Sequence, residues 1–98
     1  MLDQIKVDQF ETLVGTSLRL SGNGPEYADL ELVQARTLAN PSPRAEAPFL
    51  LTLRENGASR VIPQGIFRLQ HPTLGDLDLF IVPIGPDGKG MCYEITFN

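Results

Sequence analysis

A chain of 98 residues folds as one domain, 1–98, around one modest core. Its 42% apolar and 20% charged residues exclude a disordered or fibrous chain, and its single cysteine, Cys92, excludes an internal disulfide. The net charge of −4 comes from twelve acids and eight scattered bases; a tight nucleic-acid binder neutralises roughly 6–10 phosphates, nearly every base here, so no nucleic-acid partner is expected.

The first predicted element is a short helix over 8–14. Asp8 and Glu11 have the spacing of a capping box, Phe10, Leu13 and Val14 share a face, and Gly15 suits the left-handed position that ends a helix. Two turns cannot stand alone in water, so the apolar face must dock.

Strands follow over 16–21, 29–37, 48–55, 63–70, 76–84 and 90–97. Leu18 and Leu20 alternate with polar residues in the first, Leu30 and Leu32 in the second. The apolar positions of the second then shift to Val33 and Ala35, the mark of a β-bulge. Residues 39–48, with prolines at 41, 43 and 48, read as the longest loop. Phe49, Leu51 and Leu53 alternate in the third strand, and Asn56-Gly57 turns the chain. In the last three strands the alternating sets are Gly65, Phe67 and Leu69; Leu77, Leu79 and Ile81; and Met91, Tyr93, Ile95 and Phe97.

Turn chemistry then proposes registers. A three-residue loop at Pro86-Asp87-Gly88 sets Ile81 opposite Tyr93 and Leu79 opposite Ile95; one at Thr73-Leu74-Gly75 sets Leu69 opposite Leu79. The expected fold is mainly β: a six-stranded antiparallel meander forming a small rolled sheet or barrel, with one short N-terminal helix. The expected inward set is Leu18, Leu20, Leu30, Leu32, Phe49, Leu51, Leu53, Phe67, Leu69, Leu77, Leu79, Ile81, Met91, Tyr93, Ile95 and Phe97, bulky enough to fill a small barrel.

Several segments together resemble a known family. They are Asp8-Gln9-Phe10 with Leu13-Val14-Gly15, Pro63 through Pro72, Leu74 through Phe80 with Val82-Pro83, and Gly90 through Asn98. The chain resembles a bacterial family of one-hundred-residue small β proteins described as a domain of unknown function. That resemblance implies a bacterial or phage-related source and a setting beside phage-tail-collar-like proteins. It supplies no catalytic residues.

Candidate chemistry is sparse. Gly85-Pro86-Asp87-Gly88-Lys89-Gly90 lacks the spacing and the Ser or Thr of a phosphate loop, and reads as a hairpin. His71 and Cys92 fall on opposite faces by parity, so a thiol–imidazole pair is not expected. Asp76, Asp78 and Glu94 read as solvated charges, with Asp78 and Glu94 near diagonal neighbours, and Glu31, Asp78 and Glu94 are available to pair with Arg19, Arg54 or Arg68. One histidine and one cysteine do not make a zinc site of usual composition, so neither metal nor cofactor is expected.

The suggestive residues lie on the other face: Leu50, Ile66, Phe80, Val82 and Ile84, covered either by the helix or a loop, or by a partner. The expected function is a non-enzymatic interaction or assembly module with an unknown protein partner or as a homo-oligomer. A small-ligand-binding barrel is the alternative, and an enzyme using His71 with a carboxylate a weaker one. The longest apolar run, Leu79 to Ile84, is too short to span a membrane, and an acid at position 3 is unlike a secretion signal, so no membrane partner and a cytoplasmic location are expected.

Overall fold

A computed structural model of the chain describes residues 4–22, 24, 26–39 and 47–97. The elements are α1 (Asp8–Glu11), β1 (Ser17–Ser21), β2 (Tyr27–Thr37), β3 (Phe49–Asn56), β4 (Gly65–His71), β5 (Gly75–Pro86) and β6 (Gly90–Phe97). All six strands pair antiparallel and close into a barrel in the order β1-β2-β3-β6-β5-β4. The mainly β barrel with one N-terminal helix is therefore as expected. Its neighbours are not one continuous meander, because two three-strand meanders are joined by β3 with β6 and by β1 with β4. Phe49 stands opposite Phe97 across the first seam, their rings stacked 4.3 Å apart.

Period-two alternation places the core. Odd positions of β3, β5 and β6 and even positions of β1 and of β2 as far as Leu32 turn inward, and the expected inward side chains are buried, apart from Phe67, which is half-buried. Ile5, Phe10 and Ala28 join them.

Both hairpin registers at the C-terminal end lie two residues from the expected ones. Leu69 pairs with Leu77 rather than Leu79, and Tyr93 with Pro83 rather than Ile81. Parity is preserved, so the same side chains face inward. The β4–β5 loop is Pro72-Thr73-Leu74, closed by Gly75 at φ 84°. In the β5–β6 hairpin Pro86 faces Met91, a pairing of opposite parity, and a bulge at Ile84 restores the phase by Pro83 opposite Tyr93. The expected bulge in β2 is present at Val33, between Leu32 and Gln34.

The helix is shorter than expected and is not held by a capping box. Val7 occupies the cap position without a side-chain bond, and Gln9 Oε1 accepts from the Lys6 N–H at 2.7 Å instead. Gly15 takes the left-handed conformation, φ 91°, and its N–H donates to the Leu32 carbonyl, while Leu32 N–H donates to Thr16 O. Phe10 is fully buried; Val14 is exposed. The helix thus plugs one end of the barrel through Phe10, which meets Phe49, Phe97 and His71 with ring centroids 6.0, 5.7 and 4.9 Å away. The β3–β4 connection, residues 57–64, passes the other end, where Tyr93 Oη accepts from the Ile62 N–H at 2.8 Å. Of the long loop 39–48, residues 40–46 lie outside the described residues; its neck is closed by Leu38 N–H donating to Pro48 O at 2.8 Å.

Candidate functional site

His71 ends β4 and is buried. Its Nδ1 accepts from the N–H groups of Thr73 and Leu74 at 3.1 and 3.0 Å, which leaves Nε2–H to donate to the Gln9 carbonyl at 2.8 Å. Both ring nitrogens are committed to joining the β4–β5 turn to the helix. Cys92 is buried on the outward side of β6 against Asp87, and burial pushes its thiol up from the ordinary value, keeping it neutral. The two residues belong to different environments and do not pair.

Three barrel arginines pair across strands. Arg19 meets Asp29 at 3.3 Å and lies over the Tyr27 ring, and Arg68 meets Asp78 at 3.3 Å. These two pairs are exposed and stabilise little. Because of the register, Glu94 stands opposite Val82 rather than near Asp78.

Arg54 differs, with its side chain only 12% exposed. Its Nη1 donates to Asp87 Oδ2 at 2.9 Å, Nη2 to Glu31 Oε1 at 3.2 Å, and Nε to Asn56 Oδ1; Asn56 Nδ2 also donates to Glu31. Asp87 Oδ1 meanwhile accepts from the N–H groups of Lys89 and Gly90 at 2.9 and 3.2 Å. The backbone N–H of Lys89, then Arg54, hold the Asp87 carboxyl down to about 2 from 3.8. Asn56 and Arg54 lower Glu31 as well. These four side chains lock the β5–β6 hairpin to β2 and β3 and satisfy one another, as a structural clamp does.

A folded-state pKa below the unfolded one adds stability above the unfolded value, and protonation removes it. The clamp's contribution is therefore present above about pH 4 and is lost as pH falls from 3.8 towards about 2. Thermal melts of the wild type should show this loss. In Asp87→Asn the melting temperature should be lower near neutral pH and fall less steeply across that interval.

The outward apolar residues separate into distinct environments. Ile66 and Phe80 are direct cross-strand partners, 64% and 49% exposed. Val82 follows on β5, half-buried, and Ile84 sits in the bulge, 47% exposed. Leu50 lies on β3 between Arg36 and Thr96 and is buried, so it takes no part in that exposed row. The helix does not cover the row, since it occupies the barrel end.

Sequence reasoning did not find a groove at the end opposite the helix. About 380 Å³ in volume, it is walled by Leu20, Tyr27, Ile62, Pro63 and Phe67, with Arg60 and Glu26 at its mouth. Arg60 holds Glu55 through Nη2 and Nε at 2.7 and 3.2 Å, a pair that raises its pKa. The lining comes from three separate stretches of chain, and its one local signal is Val61-Ile62-Pro63, an apolar step before β4.

Among the described residues there is no cluster of acids, histidine and cysteine able to hold a metal, and no helix long and apolar enough to cross a membrane. No curated protein and no solved structure matches the chain. A family model does match, over residues 5–97, nearly the whole barrel and its helix. The chain belongs to the family described as Domain of unknown function (DUF6916).

Proposed function

We propose that this protein is a non-enzymatic interaction or assembly module that uses the outer face of β4 and β5 against a protein partner. The observation that carries it is the row Ile66, Phe80 and Ile84, bare on adjoining strands beside half-buried Val82. Leaving large apolar side chains in water forgoes burial energy of about 1.5–3 kcal/mol each, which a partner would recover. The size of the row sets the kind of contact. A bare side chain of this class offers about 150–200 Å², so three half-exposed ones present about 300 Å², against roughly 800 Å² per partner in a standard interface. The row is the apolar centre of a transient contact, or one part of a larger one.

The engaged ring of His71 and the neutral, buried thiol of Cys92 fit a protein without catalytic groups. The bacterial, phage-tail-associated setting implied by the sequence resemblance, in the cytoplasm, suits an assembly component.

Ile66→Glu/Phe80→Glu should keep the wild-type fold, because both positions face water. Proteins that copurify with the wild type from its own source cells should be depleted at least tenfold by the double variant. Equal recovery by the two proteins would refute the proposal.

A further inference from the structure

We infer that the far-end groove receives the proline-rich loop of a second copy, so that the barrels join head to tail. The inference rests on the assembly-module proposal and names a second surface and its occupant.

The groove offers what a proline-rich segment requires: aromatic and aliphatic walls, from Tyr27, Phe67, Val61 and Ile62, with polar groups at the mouth. The segment Asn40-Pro41-Ser42-Pro43-Arg44-Ala45-Glu46 has two prolines to pack on those walls, each with its φ already restricted, which lowers the cost of ordering on binding. The charges also match. Arg44 and Glu46 of the loop find Glu26 and Arg60 at the mouth; among the described residues Arg60 binds Glu55 through Nε and Nη2, and its Nη1 is a further donor for a carboxylate.

The topology then requires a second molecule. β2 leaves the groove at Tyr27 and reaches the loop's neck after Thr37. The ten steps from Tyr27 to Thr37, at about 3.3 Å each, separate the two by roughly 33 Å, close to the 36 Å long axis. With its neck closed between Leu38 and Pro48, half the loop reaches about 15 Å. No barrel can fill its own groove. A contact between unlike surfaces at opposite ends leaves one loop and one groove free at every step, so it propagates into rings or open filaments.

Two variants and their mixture decide the matter. One replaces residues 40–46 by a Gly/Ser segment; the other is Val61→Glu, at an exposed groove position. Each should keep the wild-type circular dichroism spectrum. By sedimentation, the wild type should rise above dimer mass with concentration, while each variant stays monomeric or weakens association at least tenfold. Mixed together, the two variants should form a heterodimer and stop there, since the only intact loop meets the only intact groove. Wild type that stays monomeric at millimolar concentration, or a loop variant that assembles like wild type, overturns the inference. In the first case a Phe80-dependent partner leaves the outer-face proposal standing. Assembly abolished by Ile66→Glu/Phe80→Glu but by neither loop nor groove variant also overturns it, and would place the copy-to-copy contact on the outer face.

Discussion

Gly90→Ala should destabilise the barrel by about 3 kcal/mol or more, the upper range for forcing atoms into a packed site. A Cβ at Gly90 would stand 2.1 Å from the Glu55 carbonyl oxygen and 2.9 Å from Asn56 Cα. Both are main-chain atoms of the paired strand, so no side-chain rotation relieves the clash. Gly90 opens β6 opposite Asn56, and its N–H also binds Asp87. Moving it would pull on the clamp around Arg54 as well. In a domain of this size the expected fall in melting temperature is about 12–24 °C. Gly65→Ala is the control. There a Cβ meets only the Phe67 ring at 3.6 Å, an ordinary contact, so the variant should melt at or slightly above the wild-type temperature. Equal melting temperatures for the two variants would show that β3 and β6 do not approach so closely.

Phe10→Ala should cost about 3–5 kcal/mol, as truncating a wholly buried phenylalanine usually does. A helix of four residues has almost no stability of its own. Its attachment depends on the Phe10 ring, which closes the barrel end against Phe49, Phe97 and the edge of His71. Losing the ring leaves a cavity and weakens the hold on Gln9, whose carbonyl accepts the His71 proton. The urea midpoint should fall accordingly, and the Phe10 and Glu11 amides, bonded to the Val7 carbonyl, should exchange much faster than those of β6. Phe10→Leu should recover more than half of the loss. A midpoint for Phe10→Ala within about 1 kcal/mol of the wild type would mean that the helix is not the plug.

Alternation made the barrel's inner face legible, because parity alone decides which side of a strand meets the core. Parity fixes register only to the nearest even shift, however, and that is why both C-terminal hairpins slide by two residues with every core side chain still in place. The Ile84 bulge had no signature, since apolar residues run without a break from Leu79 to Ile84; Val33 did, because the apolar phase visibly changes there. The seams between β3 and β6 and between β1 and β4 join distant segments, so no local pattern announces them. Phe67 satisfies the inward pattern yet lies only half-buried, because β1 pairs with β4 at just Leu20–Leu69 and Ser21–Arg68 among the described residues. The groove beside it was illegible for the same reason: Tyr27, Val61 and Phe67 are ordinary residues until three remote stretches meet.

The two bulges also limit how this chain can change in length. Loss of the single codon for Ile84 would remove the extra residue and leave Pro83, Gly85 and Pro86 facing Tyr93, Cys92 and Met91 in an unbroken ladder, whereas loss of Phe80 would exchange inside for outside along one side of the deletion. A deletion of one paired residue in β5 is therefore far more damaging than removal of Ile84 or a longer excision from 40–46. Away from Val33 and Ile84, viable insertions and deletions within the central strand of either meander should come in twos.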